Sequence, residues 1–522
     1  MEKRTMKLAL IAALVLIAVI SGCTKPAPKT GDPAITVLVP DSSADPMNVV
    51  FADPVLMSTD MFIYETVYEP LVRYGPRGVI EPGLAESWEG GDEGRSYTFH
   101  LRRGVTFSDG TDFTADNVIA AASRWNFQHF SSPMTGIEKI DDYTVKISFQ
   151  ESRYPCLIEL TYPRPFRFAA PSAFDAEGKF IKPVGTGPWM LESNTIGEEV
   201  VLVPNPHYYG EKPLLSKMIF RKVADGQSRL MALQSGDADV SLADLPSEAG
   251  DVIRPSPHLA MLNIPGTMGF YLILNEENPL LQDLNLRKAL NYGVDKTSIV
   301  DHIMGGGATA AKGLFSETVP YVTGENSPGY PFESGRAASL LADAGYQDTD
   351  GDGILEKNGS PLSLRLTFQG EEYASWKSMC EFLQAEFRKI GIDIKLEQRE
   401  SSAYYDAIWS NRDFDTIIYR TYSDSYNPHR FLRDMFWTAG PKAVSWTDPK
   451  LGADIDAVLG IQDEAARQSA YDRIFKYLND NAYTVPLTYP NKQYGYNTRL
   501  KNMNVAFTDY GVIDWAKINV AE

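Results

Sequence analysis

Between Leu362 and Leu396 the chain carries the pattern that most restricts its fold. Leu362, Leu364, Leu366 and Phe368 alternate with polar residues, as a half-buried strand requires. Trp376, Met379, Cys380, Leu383, Phe387 and Ile390 then recur at helical spacing, and Gly391 closes that run. Ile392, Ile394 and Leu396 alternate again. Strand, helix, strand is the building block of an α/β lobe. Other segments agree with a mixed fold. Ile35 to Val39 is an apolar strand run; Tyr97, Phe99 and Leu101 alternate, as do Val145, Ile147 and Phe149. Ser108-Asp109-Gly110-Thr111 is turn chemistry, and Thr114 is an N-cap for a helix starting near Ala115. Gly269 to Asn275 reads as a buried strand. Leu340, Leu341 and Ala344, ended by Gly345, and Tyr471, Ile474, Phe475 and Leu478 are helical stripes.

A length of 522 residues implies two or more structural units. The net charge of −19 argues against a nucleic-acid partner, because phosphate binding needs a basic surface. At the N-terminus Lys3, Arg4 and Lys7 precede an apolar run from Leu8 to Ile20, too short for a comfortable membrane span, which ends in Ile20-Ser21-Gly22-Cys23. This is an export signal, and its last four residues resemble the lipobox of prokaryotic lipoproteins. That resemblance implies a signal peptide over 1–22, lipidation of Cys23, and a membrane anchor outside the cytoplasm. Residues 23–32, rich in Lys, Pro and small residues, read as a flexible tether. Export permits a disulfide between Cys156 and Cys380, but Cys380 sits on a helical stripe and is expected as a buried free thiol. No CxxC occurs, so thiolate metal binding and redox chemistry lack support.

Candidate chemistry is sparse. Asp348-Thr-Asp350-Gly-Asp352-Gly353 resembles the start of an EF-hand calcium loop, but the twelfth position is Gly359 where a bidentate carboxylate is needed; the segment reads as a hairpin turn. Gly305 to Ala310 contains GxGxxA but follows a helical segment, Ser298 to Met304, rather than a strand, so it reads as a loop. HExxH, GxSxG and Walker A patterns are absent, and His100, His129, His207, His258, His302 and His429 include no pair at metal-ligand spacing. A secreted hydrolase, the different-class alternative, has nothing positive behind it, and no catalytic residue or cofactor is assigned. Two stretches suit a binding pocket. Tyr162-Pro-Arg164-Pro-Phe-Arg167-Phe168 is a stiff extended strip holding two guanidinium groups among aromatics, and Arg matches a carboxylate two bonds at a time. Tyr419 to His429 mixes aromatic and polar residues as small-ligand walls do.

Longer motifs carry a family resemblance. Ile80-Glu-Pro-Gly-Leu-Ala-Glu-Ser-Trp88 followed by Tyr97-Thr-Phe-His-Leu-Arg-Arg-Gly-Val-Thr-Phe-Ser-Asp-Gly110 resembles the signature of family 5 extracellular solute-binding proteins, the peptide- and nickel-binding subunits of ABC importers. Val184-Gly-Thr-Gly-Pro-Trp189, Asn205-Pro-His-Tyr-Tyr-Gly210, Gln234-Ser-Gly-Asp-Ala-Asp239 and Arg287-Lys-Ala-Leu-Asn-Tyr292 follow in family order, so the similarity covers nearly all of the mature chain. It implies a two-lobed α/β clamshell of the periplasmic-binding-protein type (class C) with two interlobe crossings. Lobe I would span 33–270 with 486–522 returning to it, and lobe II 271–485. It also implies a non-enzymatic, monomeric protein partnered by ABC permease and ATPase subunits.

Within the family, Tyr154-Pro-Cys-Leu-Ile-Glu-Leu160, Pro163-Arg-Pro-Phe-Arg-Phe168 and Ala170-Pro-Ser172 most resemble the nickel-binding subunit, which takes nickel as a complex with a small multicarboxylate chelator or histidine. The resemblance implies that Arg164 grips carboxylates, that Met61 lines the pocket, and that Tyr422 and Tyr426 stand at a pocket tryptophan and a pocket tyrosine. Arg167 has no such match and is structural by default. Two departures matter. The nickel subunit's direct histidine ligand should fall near Gly440, yet Met435 to Val444 holds no histidine, so the protein would supply no direct metal ligand. Asp424 stands where peptide-binding members place an aspartate on the peptide's α-amino group. A nickel chelate is therefore the first expectation and a di- or oligopeptide the alternative.

Overall fold

The computed structural model describes residues 33–39, 58–75, 78–122, 131–162, 166–242, 245–246, 249–373, 375–422, 428–437, 443–503 and 513–521. The strand–helix–strand unit forms as its periodicity dictates. Strand Ser363–Phe368 and strand Asp393–Gln398 pair in parallel, from Ser363 opposite Asp393 to Phe368 opposite Gln398. Helix Ser375–Lys389 connects them and buries Trp376, Met379, Cys380, Leu383 and Phe387. The helix stops at Gly391, whose φ of +84° places it in the left-handed region.

This unit is one end of a 12-stranded mixed sheet. The order continues through Thr416–Arg420 and Phe270–Leu274 to the long strand Thr484–Asn497, then through Val240–Ser241, Ala34–Val39, Lys217–Lys222 and Glu199–Pro204 to Trp189–Thr195. The long strand joins the two halves. Residues 484–488 pair antiparallel with Phe270–Leu274, and residues 491–497 pair with Leu259–Pro265. Pro486 has no N–H to give a ladder, and the register shifts between Phe270 and Tyr271 beside it, as a proline inside a sheet requires. At Gly266 a Cβ would sit 2.4 Å from the Pro490 carbonyl oxygen, so this approach of backbones admits only glycine. A separate four-stranded antiparallel sheet, Ala85–Gly91, Ser96–Leu101, Thr144–Phe149 and Met134–Asp141, presents Tyr97, Phe99, Leu101, Val145, Ile147 and Phe149 to the core. Helix Ala115–Ala122 starts where expected, and there the Thr114 N–H and hydroxyl donate to Asn117 Oδ1 at 2.8 and 3.2 Å.

The family-like motifs prove to be scaffold. Arg287 is buried and donates to the carbonyls of Leu281, Gln282 and Asn481 at 2.8, 3.0 and 3.0 Å. Asn205 donates to Gly187 O at 2.9 Å. Cys156 and Cys380 are both buried and free. The turn at Asp348 is closed by an antiparallel bridge between Gln347 and Glu356. It also gathers the carboxylates of Asp348, Asp350, Asp352 and Glu356 within 4.8 Å, the last standing at the ninth position of the EF-hand spacing.

Asp239 ties the two ends of the chain together. Its carboxylate accepts from the Thr36 N–H at 2.9 Å and from Arg499 Nε at 2.6 Å, while Arg499 also donates to the Ala34 carbonyl at 3.1 Å. Replacing a buried, doubly used carboxylate strands both donors. Asp239→Ala should therefore lower stability by about 2 to 3 kcal/mol in denaturant unfolding.

Candidate functional site

The strip around Arg164 is held by what flanks it. Pro155 occupies the first turn of the short helix Pro155–Glu159, where its missing N–H costs nothing. Tyr162 and Phe166 are buried on either side of residues 163–165. Arg167 is also buried, with an ion pair to Glu65 at 2.8 Å. It donates as well to the carbonyls of Thr161 at 3.3 Å and of Tyr162 and Phe166 at 3.0 Å each. One guanidinium thus staples carbonyls on both sides of 163–165 to the helix Ser58–Val67. Arg167 is structural, as the sequence reading has it, and its task is to fix the ends of the segment that carries Arg164. Arg164 itself, together with Asp424, Tyr426 and Cys23, lies outside the described residues. Met61 falls on the helix Ser58–Val67, but its side chain lies outside the description too.

Glu159, at the end of the short helix, is a residue the sequence reading passed over. It is 4% exposed and accepts from the Ser131 N–H at 3.0 Å. Burial pushes its carboxyl up to about 7, against the opposing pull of the Ser131 bonds and of Arg430 and Arg433. The neighbouring Cys156 thiol is raised by burial as well and lies 3.8 Å from Ser131 Oγ.

A second wall follows the strand Thr416–Arg420. Thr421 is buried and locked to Gly269, accepting its N–H on Oγ1 at 2.7 Å and donating its own N–H to the Gly269 carbonyl at 2.8 Å. Tyr422 is half-buried and packs edge-on against Phe431, with ring centroids 5.0 Å apart. Its hydroxyl meets the Asp434 carboxylate; burial raises the phenol, with the Asp434 charge adding to it, and burial also raises Asp434. Phe431 and Asp434 belong to helix His429–Phe436. His429, the helix's first residue, is buried, and its pKa is held down to about 3, first by burial and then by the positive charges of Arg433, Arg153 and Arg430. The imidazole is neutral throughout the physiological range.

The two segments lie close enough to interact electrostatically: Arg430 and Arg433 act on Glu159, and Arg153 acts on His429. The setting combines buried aromatics with arginines that are paired to carboxylates, Arg153 with Glu151 and Asp456 and Arg430 with Asp434. Of the sequence-expected residues, Tyr422 is the one whose side chain the structure describes, and Glu159, His429 and Asp434 are neighbours that the sequence did not announce. The one available signal for Glu159 was a lone carboxylate inside the apolar run Cys156 to Leu160.

Because the folded protein holds the Glu159 proton more tightly than the unfolded chain does, the stability this group contributes is full below pH 4.5 and is lost as pH rises through about 7. Glu159→Gln removes that dependence. Relative to wild type, the variant should gain on the order of 3 kcal/mol between pH 4.5 and pH 8 in denaturant unfolding.

Comparison with known proteins agrees with this architecture. Residues 79–442 match the family model described as bacterial extracellular solute-binding proteins, family 5 middle. A nickel-binding periplasmic protein of Escherichia coli is 34% identical over 474 residues, 86% of this chain and 88% of the relative. The oligopeptide-binding protein AppA of Bacillus subtilis is 26% identical over 531 residues, 94% of each chain. Among solved structures, NikA from Brucella suis in complex with Fe(III)-EDTA superposes with a TM-score of 0.81 at 33% identity, covering 94% of this chain and all of that one. No helix among the described residues is long and apolar enough to cross a membrane. The chain belongs to the family 5 bacterial extracellular solute-binding proteins, the two-lobed subunits that capture a solute for the permease and ATPase of an ABC importer without transforming it.

Proposed function

We propose that this protein captures nickel as a chelate with a small carboxylate or amino-acid ligand, in the cleft between its lobes, and delivers it to a permease. The observation that carries this reading is the Arg167 staple. A buried guanidinium fixes the ends of the strip to which Arg164 belongs, and Arg164 would be the arginine that takes a guest carboxylate. Likeness to the Escherichia coli nickel-binding protein supports nickel as the metal in that guest. The protein's own donors suit an outer role. No histidine lies in Met435 to Val444, so the chelator would supply the coordination sphere while Arg164, Met61, Tyr422 and Tyr426 hold the chelator. Lobe I over 33–270 with 486–522, and lobe II over 271–485, fit the way the strand Thr484–Asn497 serves both halves of the sheet. The solute would shift the two-lobed protein toward its closed form through its greater affinity for that form. Cys23 would carry the lipid that keeps the monomeric protein at the membrane, with 23–32 as its tether.

A short peptide is the competing guest. AppA of Bacillus subtilis is an oligopeptide-binding protein, and here Asp424 would take the amino group while Arg164 takes the carboxylate.

Nickel with histidine should raise the melting temperature of the solute-free protein by several degrees through ligand linkage, whereas di- and tripeptides should not. A shift with peptides alone rejects the nickel reading. Arg164→Ala should weaken binding of the nickel–histidine complex by about 10- to 150-fold in calorimetry, the loss of a charge-assisted pair. Unchanged affinity would return Arg164 to the scaffold.

A further inference from the structure

The two halves of the sheet are joined covalently near Pro265–Phe270 and along Thr484–Asn497, yet a third set of contacts joins segments far from both in sequence. Ser152 to Tyr154 follow the strand Thr144–Phe149 of the four-stranded sheet, and they meet the approach to helix Glu464–Asn481. The Tyr154 N–H donates to the Leu459 carbonyl at 3.0 Å, and Gln462 Nε2 donates to Ser152 Oγ at 2.8 Å.

Tyr154 is the centre of this seam. Tyr321 and Tyr471 stack on each other, with centroids 4.6 Å apart and planes 16° apart. The Tyr154 ring stands edge-on to both, at 6.0 and 6.3 Å, and its hydroxyl hydrogen-bonds that of Tyr471. Arg467 places its guanidinium carbon 4.2 Å above the Tyr154 ring. Arg467 needs nothing from Tyr154 to be satisfied. It donates to the Tyr321 hydroxyl at 2.9 Å, to the carbonyls of Ile461 and Gln462 at 2.6 and 3.2 Å, and to Glu464. One side is therefore a finished receptacle, a stacked tyrosine pair capped by a buried cation, and the other side inserts a single ring.

We propose that Tyr154 is the closure plug of the clamshell, carried on the lobe with the four-stranded sheet and seated in the Tyr321–Tyr471–Arg467 receptacle when the cleft is shut. Opening withdraws a buried ring from two aromatic partners and a cation, so the closed form has a stabilising contact that involves no solute. Apparent affinity scales with the fraction of protein able to close, which makes Tyr154 a positioning residue for solute binding. It directly precedes the helix Pro155–Glu159, so seating the plug also sets the start of the segment that leads to Arg164.

The test uses the full chain without solute, so it stands apart from the identity of the guest. Ser152→Cys with Gln462→Cys, in a chain also carrying Cys23→Ser, places a reporter thiol on each side of the seam, and a short bismaleimide bridges them only when the seam is shut; Cys156 and Cys380 are buried. Tyr154→Leu, which keeps an apolar side chain but loses the ring, should slow bridging about tenfold, and Tyr154→Phe should slow it less than about threefold. Arg467→Gln alters the receptacle from the other side and leaves the Tyr154 segment untouched; it should slow bridging as well. Bridging at the wild-type rate in Tyr154→Leu, or in Arg467→Gln should Tyr154→Leu fail to fold, overturns the proposal.

Discussion

The strand Thr484–Asn497 is the constraint on which everything else rests. It pairs with Phe270–Leu274 through its first part and with Leu259–Pro265 through its last, so one extended segment belongs to the ladders of both halves of the sheet. Its hydrogen bonds permit the halves to share a frame, while Pro486, Pro490 and the register shift beside Tyr271 interrupt the ladder where the partners change. A sheet that loses ladder bonds at one place is the natural position for a bend. The tight approach of Gly266 to Pro490 brings the second covalent connection alongside it.

The chain's chemistry is distributed unevenly over this frame. An overall charge of −19 describes the surface, yet Arg153, Arg430 and Arg433 act together on the buried His429 and, in part, on Glu159. Those arginines have carboxylate partners of their own: Arg153 pairs with Glu151 and Asp456, and Arg430 with Asp434. The motifs by which the family is recognised do other work: Arg287 and Asn205 spend their donors on backbone carbonyls.

Much of the fold was legible because periodicity reports burial directly. The Leu362 to Leu396 unit, the Tyr97 and Val145 strands and the Glu464–Asn481 helix follow from which residues must face inward. Less of the site was legible. The structural reading of Arg167 rested on elimination, whereas its real warrant is the set of carbonyls, Thr161 and Phe166 among them, to which its guanidinium donates. Glu159 could not be weighed without knowing that Ser131 would supply its hydrogen bonds and that Arg430 would face it. Tyr154 and Tyr471 are 317 residues apart, and no local pattern announces a contact at that separation. The turn at Asp348 was legible as a hairpin because Gly359 stands at the twelfth position, but the bridge from Gln347, which folds Glu356 back onto the aspartates, was not.

The central claim is that the cleft holds a nickel chelate gripped through its carboxylates, and native mass spectrometry of the protein purified without added solute tests it most directly. The account predicts a bound species that carries the nickel isotope pattern and leaves as metal plus a small carboxylate-bearing ligand on activation. A bound mass made of amino-acid residues with no metal would contradict it.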